Sequence, residues 1–97
     1  MSKTEYEDIT ILDFRAEWCI PCDHQSVILD DLYKKLKGRI EIRRIDIDDQ
    51  TGISEKFNIN AVPTLCLLKK GIEVRRFIGV QPVDTLIDAI DNCIEEN

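Results

Sequence analysis

Long apolar runs and basic charge are both scarce in this 97-residue chain, and each scarcity excludes a class of protein. No apolar stretch approaches the roughly twenty residues that a membrane-spanning helix needs. Residues 1–8 are polar and lack the apolar core of a signal peptide. Lys and Arg number 13 against 19 Asp and Glu, for a net charge of −6, which disfavours nucleic acid because that binding depends on cations. We therefore expect a cytoplasmic protein that binds neither membrane nor nucleic acid.

The chain also lacks room for a second hydrophobic core, and it contains no repeats, linkers or low-complexity segments. Hydrophobic residues make up 43% of it and charged residues 33%, a balance typical of a globular protein and not of a disordered one. We expect a single domain over residues 1–97, present as a monomer.

Cysteine pairs are scarce too, since only two of the four cysteines lie close together in sequence. A zinc site built from four cysteines needs two such pairs, so the pattern disfavours structural zinc. An iron–sulfur cluster shared between two chains is equally disfavoured. Cys66 lies in an apolar run and Cys93 on an apolar helical stripe, and both are most simply small buried hydrophobic residues. The close pair, Cys19 and Cys22, is the candidate for chemistry.

What is present is the sequence Trp-Cys-Ile-Pro-Cys at residues 18–22. Two thiols at this spacing can close a small disulfide and reopen it, with the thiolate as the attacking species. Pro21 suits a first helical turn, where its missing N–H has no partner to lose. The spacing predicts Cys19 at the exposed lip of a helix N-terminus, whose dipole favours the thiolate, and Cys22 one turn further in. Trp18 offers a flat apolar surface that shields the sulfurs or docks a peptide.

The pattern of apolar residues predicts the element order βαβαββα. Strands are predicted at residues 9–14, 40–47, 65–68 and 72–78, a short helix at 54–57, and a last helix from Pro82 to residue 94. The first helix runs from the motif to Gly38. Its apolar positions recur at helical spacing: Val27, Ile28, Leu29, Leu32, Tyr33 and Leu36. The segment before residue 65 contains a Val62–Pro63 bond that is either cis in a tight turn or an ordinary trans bond.

Asp13 interrupts an apolar strand that leads to the motif. Burial would raise the pKa of this carboxyl group, so it is either an acid with a role near the thiols or a strand-end acid that reaches water. Arg44 shares the inward face of its strand with Ile40 and Ile42 by period two, which makes it a candidate partner for Asp13. An irregular strand or a solvated arginine would explain the pattern equally well.

Two polar residues follow the motif directly. Asp23 suits the first helical turn, but its charge opposes ionisation of the nearby thiols and moderates their activation. His24 is the single histidine. It could serve as a base for a thiol, although a solvated polar position is the favoured interpretation.

Residues 13–22, read with Val62–Pro63–Thr64, Gly71 and Gly79, resemble the thioredoxin family. The resemblance implies an α/β, thioredoxin-like fold that is N-terminally shortened: a mixed four-stranded sheet with helices on both faces and one bare edge. It implies that Cys19 is the nucleophile, that Cys22 is the resolving thiol, and that Asp13 handles the proton of Cys22. It also implies a surface on which client disulfides lie, formed by Trp18, Ile20, Pro21, Val62, Pro63, Thr64, Gly79 and Val80.

Some positions depart from the pattern of that family. Ile20 replaces a glycine, Arg15 stands where an aromatic residue is usual, and Asp23 stands where a lysine is common. Val27 takes the place of a helix-kinking proline, and Arg44 that of a lysine. These departures bear on client range and redox potential, and not on the exchange chemistry.

The resemblance implies a thiol–disulfide oxidoreductase that reduces disulfides in client proteins and is itself reduced by a partner such as a thioredoxin reductase. No motif indicates a bound organic cofactor or a metal. Two alternatives stay open at this point. One is a binding module that clamps a partner beside Trp18 and Pro63, and the other is a dedicated reductase for one client or for a glutathione-linked, glutaredoxin-like route.

Overall fold

The structure is a computed structural model, and it describes residues 5–95. A 3-10 turn at Tyr6–Asp8 precedes the sheet and the helices. The strands are β1 (Ile9–Arg15), β2 (Glu41–Asp46), β3 (Thr64–Lys69) and β4 (Ile72–Ile78), and the helices are α1 (Ile20–Lys35), α2 (Thr51–Lys56) and α3 (Val83–Glu95). This order confirms the predicted βαβαββα sequence of elements. The part of the polar lead at residues 1–4 lies outside the described residues.

The four strands form one mixed sheet in the order β2-β1-β3-β4. β1 runs parallel to β2 and antiparallel to β3, and β3 runs antiparallel to β4. Within residues 5–95, β2 and β4 are therefore the edge strands, and the central β1 and β3 carry the nearly continuous apolar runs. Strands covered on both faces need such runs, because neither set of alternating side chains meets water.

Helices cover both faces of the sheet, as the family resemblance implies. One core cluster joins the α1 and α3 side of the sheet: Ile9, Ile11, Leu29, Leu32, Leu65, Leu67, Leu86 and Ile90 are among its members. A second cluster lies on the opposite face, where Ile53 and Phe57 of the α2 segment pack against Leu12, Phe14, Ile45, Cys66 and Leu68. Alternation along β1 separates the two clusters and places Asp13 on the α1 side, with Ile9 and Ile11.

The buried face of α1 differs from the predicted stripe. Cys22, Gln25, Leu29 and Leu32 are its buried residues, a set that recurs every three or four positions. Val27 and Tyr33, which were predicted on the apolar stripe, are 69% and 45% exposed. The prediction was wrong for these two because it counted apolar residues and overlooked the polar Gln25 as a core position.

No helix in the described part of the chain is long and apolar enough to cross a membrane.

Candidate active site

The motif lies between the carboxyl end of β1 and the first turn of α1. Cys19 is the N-cap residue of α1, and its sulfur accepts a hydrogen bond from the backbone N–H of Cys22 at 3.1 Å. Pro21 lies in the first turn, as expected for a residue without an N–H. Cys19 and Cys22 are joined by a disulfide, with their Cα atoms 5.3 Å apart. The helix N-terminus thus directs an N–H at the sulfur of Cys19, an arrangement that favours a thiolate there once the pair is reduced.

The exposure of Cys19 differs from the sequence prediction. Cys19 retains 4% of its accessible surface and Cys22 retains none. Cys19 is therefore the outer of the two, but it does not lie at an exposed lip. The reason is packing, since Ala16, Val62 and Ile47 enclose the two cysteines in a small apolar cluster.

Two loops converge beside this cluster. The Val62–Pro63 bond is cis, the first of the two forms that the sequence allows. The buried Thr64 hydroxyl donates to the Ala61 carbonyl oxygen at 2.7 Å and so closes the turn around that bond. The Pro63 carbonyl oxygen in turn accepts the Gly79 N–H at 2.9 Å, which joins this loop to the segment after β4.

Exposed apolar side chains flank the sulfurs. Trp18 and Ile20 lie on either side of Cys19 in sequence and are 69% and 68% exposed, and Val80 in the neighbouring loop is also exposed. The Trp18 indole N–H donates to an Asp48 carboxylate oxygen at 3.1 Å, which fixes the ring without covering it. Isolated exposed apolar residues are ordinary, whereas these three lie on the segments that carry or adjoin the disulfide.

Asp13 is fully buried, and within residues 5–95 neither of its carboxylate oxygens has a hydrogen-bond partner. Burial raises its pKa to about 6, and the positive charges of Arg44 and Arg15 oppose the rise. The strand-end interpretation, in which Asp13 reaches water, does not fit this position. An unpartnered buried carboxyl group that titrates near neutrality is suited to accepting and releasing a proton.

Arg44 makes no ion pair with Asp13, so the hypothesis that the two side chains are in contact is wrong. Its Cα lies in register with that of Asp13, but its guanidinium donates to the Ser26 hydroxyl at 3.2 Å and to Asp30 at 3.0 Å. β2 is an edge strand, and an arginine on it can reach the exposed flank of α1 while staying in water. That position avoids the desolvation penalty of a buried ion pair, and the charge still acts on Asp13 from a distance.

Sequence reasoning missed an ion pair between Arg15 and Asp23, whose side-chain atoms are 2.7 Å apart. Arg15 therefore offsets the charge of Asp23, which was expected to oppose ionisation of the thiols. His24 is exposed, consistent with the favoured solvated interpretation. Among residues 5–95, no three His, Cys, Asp or Glu side chains are grouped so as to hold a metal ion.

Comparison with known proteins gives consistent matches. The thioredoxin family model matches residues 2–92. A thioredoxin of Rickettsia felis is 36% identical over 84 residues, which cover 87% of this chain and 80% of that protein. The chloroplastic thioredoxin Y of Oryza sativa subsp. japonica is 35% identical over 89 residues, 92% of this chain and 53% of the relative. A solved mutant thioredoxin from Halobacterium salinarum superposes with a TM-score of 0.84 at 29% identity, over 93% of this chain and 78% of that one.

Proposed function

Because this chain belongs to the thioredoxin family, whose members are thiol–disulfide oxidoreductases, we propose that it reduces disulfides in client proteins at Cys19 and Cys22. The observation that supports this most is the N-cap position of Cys19, where the N–H of Cys22 donates to its sulfur. Because Cys19 is only slightly exposed, its sulfur can attack only a client disulfide that is oriented towards it.

The reaction begins with the dithiol form. The Cys19 thiolate attacks one sulfur of the client disulfide, the client S–S bond breaks, and the other client sulfur leaves as a thiolate that takes a proton from water. Cys22 then loses its proton to Asp13, directly or through water, and attacks Cys19. The Cys19–Cys22 disulfide forms as the mixed disulfide breaks, and the second client sulfur leaves as a thiolate that takes a proton from water, while Asp13 returns the Cys22 proton to solvent. Two electrons have passed to the client, and a reductase partner returns them.

The client surface in this proposal is the rim of exposed apolar residues together with the cis-proline loop. Trp18, Ile20, Pro21 and Val80 are exposed, and Val62 is half-buried. Pro63 and Thr64 are buried, so their part is to shape the loop, with Gly79 hydrogen-bonded to it. A client segment can lie across these residues with its disulfide above Cys19. We place the reaction in the reducing cytoplasm, with the protein acting as a monomer and a thioredoxin reductase as the electron donor.

A Cys22→Ser variant tests the proposal by stopping the reaction at the mixed disulfide. After the variant is incubated with oxidised cell extract, clients should be retained in covalent complexes that dithiothreitol releases. The matched control is Cys19→Ser, in which the remaining motif thiol, Cys22, is fully buried, so it should retain none. Retention by both variants alike, resistant to dithiothreitol, would instead identify a binding module, and wild-type protein would then fail to accelerate the reduction of insulin.

A further inference from the structure

Gln25 is a fully buried amide in the second turn of α1, three residues after Cys22. A buried amide side chain is costly unless its N–H and C=O groups find partners. The residues around it on the same face of the helix, Cys22, Leu29 and Leu32, are apolar. Core packing alone would be met better by leucine or isoleucine, so the partners of the amide matter.

Both partners belong to the backbone of one residue, Gln81. The Gln25 Nε2 donates to the Gln81 carbonyl oxygen at 3.1 Å, and the Gln81 backbone N–H donates to Gln25 Oε1 at 2.7 Å. The Gln25 side-chain amide thus forms a reciprocal pair of hydrogen bonds with the Gln81 backbone, as a residue of an adjacent β-strand would. Gln81 lies between β4 and α3, outside any ladder, and Gln25 satisfies both of its backbone groups.

The segment held by Gln25 is the one that approaches the cis-proline loop. At its start, Gly79 donates its N–H to Pro63, and at its end, Gln81 is tied to α1. Val80 lies between the two fixed points with its side chain exposed. Three chain segments are thereby linked: the helix that carries the cysteines, the cis-proline loop, and residues 79–81.

We propose that Gln25 is a positioning residue for client binding, which fixes residues 79–81 at a set separation from the Cys19–Cys22 pair. This inference rests on the proposed function, because it takes Gly79 and Val80 as part of the client surface. A segment that is already rigid loses little conformational entropy when a client binds, so the affinity for an extended client is higher than it would be with a mobile segment. The sulfur chemistry itself does not depend on the segment.

The test compares a protein disulfide with a small one. In a Gln25→Leu variant, both hydrogen bonds are lost at nearly constant volume, and we expect KM for insulin to rise about fivefold, the effect of one or two net hydrogen bonds, with kcat unchanged. The rate with 5,5′-dithiobis(2-nitrobenzoate), which is too small to span the surface, should stay within about twofold of wild type. Gln50→Leu is the matched control, since Gln50 is exposed and its side chain makes no capping hydrogen bond.

Amide hydrogen exchange gives a second readout that does not require activity. The Gln81 N–H should be protected in wild type, lose protection in Gln25→Leu, and keep it in Gln81→Ala, because the bonds use only the backbone of Gln81. A Gln25→Met variant also loses both hydrogen bonds, but its unbranched side chain is close to glutamine in shape. Its KM and its protection should change as in Gln25→Leu, and it replaces Gln25→Leu should that variant not fold.

An unchanged KM for insulin in a folded Gln25→Leu variant would overturn the inference. Equal losses with insulin and with the small disulfide would overturn it too, since they would locate the effect at the sulfurs. A wild-type protein that reduces the small disulfide but no protein disulfide would count against the proposed function instead. Exchange at Gln81 would then still decide whether Gln25 holds the segment.

Discussion

Asp13 is the residue at which stability and chemistry conflict most directly. Its carboxylate has no hydrogen-bond partner in the described part of the chain, and the core clusters on both faces of its strand are apolar. Burial disfavours its charged form, which raises the pKa to about 6. At neutral pH the fold therefore retains a carboxylate that destabilises it, and the proposed proton transfer from Cys22 gives that carboxylate a use.

The sign of the pH effect follows from the raised pKa. Well below pH 4, Asp13 is protonated in both the folded and the unfolded chain, so its burial costs no ionisation free energy. As pH rises towards 6, the unfolded chain ionises first and stability is lost. An Asp13→Asn variant does not titrate, so its excess stability over wild type should grow from near zero at pH 3.5 to about 3 kcal/mol at pH 7. Urea unfolding at the two pH values measures the difference.

The same variant should be the slower catalyst. Wild-type reduction of insulin should fall as pH drops through about 6, while Asp13→Asn should be about tenfold slower at pH 7 and show no inflection near 6. Asp88→Asn, at an exposed position on α3, serves as the control and should match wild type in both measurements. An inflection near pH 6 that persists in Asp13→Asn would assign it to another group.

At the scale of elements, the turn from β4 to α3 depends on the backbone of Gly79. Its φ of +92° lies in the region that side chains disfavour. Apart from Gly79 and its two chain neighbours, however, no heavy atom of residues 5–95 lies within 4 Å of the position a Cβ would take. Gly79→Ala should therefore destabilise the protein by about 1–2 kcal/mol through conformation alone, without a steric clash. Thermal or urea unfolding measures this effect.

Gly52 offers a matched control for that substitution. It lies in α2, and a Cβ there would likewise meet nothing within 4 Å in the described structure beyond its own helix backbone, but its φ is an ordinary one. Gly52→Ala should stabilise the protein by about 0.5–1 kcal/mol, the difference in helix propensity. A loss of similar size at both positions would contradict the explanation from φ.

The elements could be predicted from the sequence where burial is uniform along them. The apolar runs of β1 and β3 predict covered strands, and the spacing of apolar residues in α3 predicts its stripe. Gln25 escaped prediction because a polar residue at a core position looks like a solvated one until its partner in a distant loop is known. A signal was present, since Gln25 falls on the same helical spacing as Cys22, Leu29 and Leu32.

The direction of long side chains at the sheet edge also could not be predicted from the sequence. Period two predicted that Arg44 shares a face of its strand with Ile40 and Ile42, and the structure shows in addition that Arg44 is in register with Asp13. Period two could not reveal that β2 is an edge strand, from which a long side chain reaches Asp30 and Ser26 on the flank of α1. The Arg15–Asp23 pair was missed for a similar reason, because it joins the end of one element to the first turn of the next.

Across the whole molecule, the sheet separates the sulfurs into three environments. Cys19 and Cys22 lie at the start of α1, Cys66 lies in the cluster beneath α2, and Cys93 lies in the cluster beneath α1 and α3. Burial raises the pKa of Cys66 to about 11, and the nearby charge of Glu73 adds to that rise. Only about one in a thousand of the Cys66 side chains is then a thiolate at pH 8.

Iodoacetamide labelling at pH 8 should follow this separation. The folded oxidised protein should take up no label within minutes. After mild reduction, Cys19 should be labelled first and Cys22 more slowly. Cys66 and Cys93 should react only after unfolding in urea. Peptide mass spectrometry assigns each label, and the urea-treated sample is the control that all four thiols can react. Rapid labelling of Cys66 in the folded protein would mean that the α2 face opens on the timescale of the experiment. The cluster of Leu12, Phe14 and Leu68 around Cys66 would then not stay closed in the folded state.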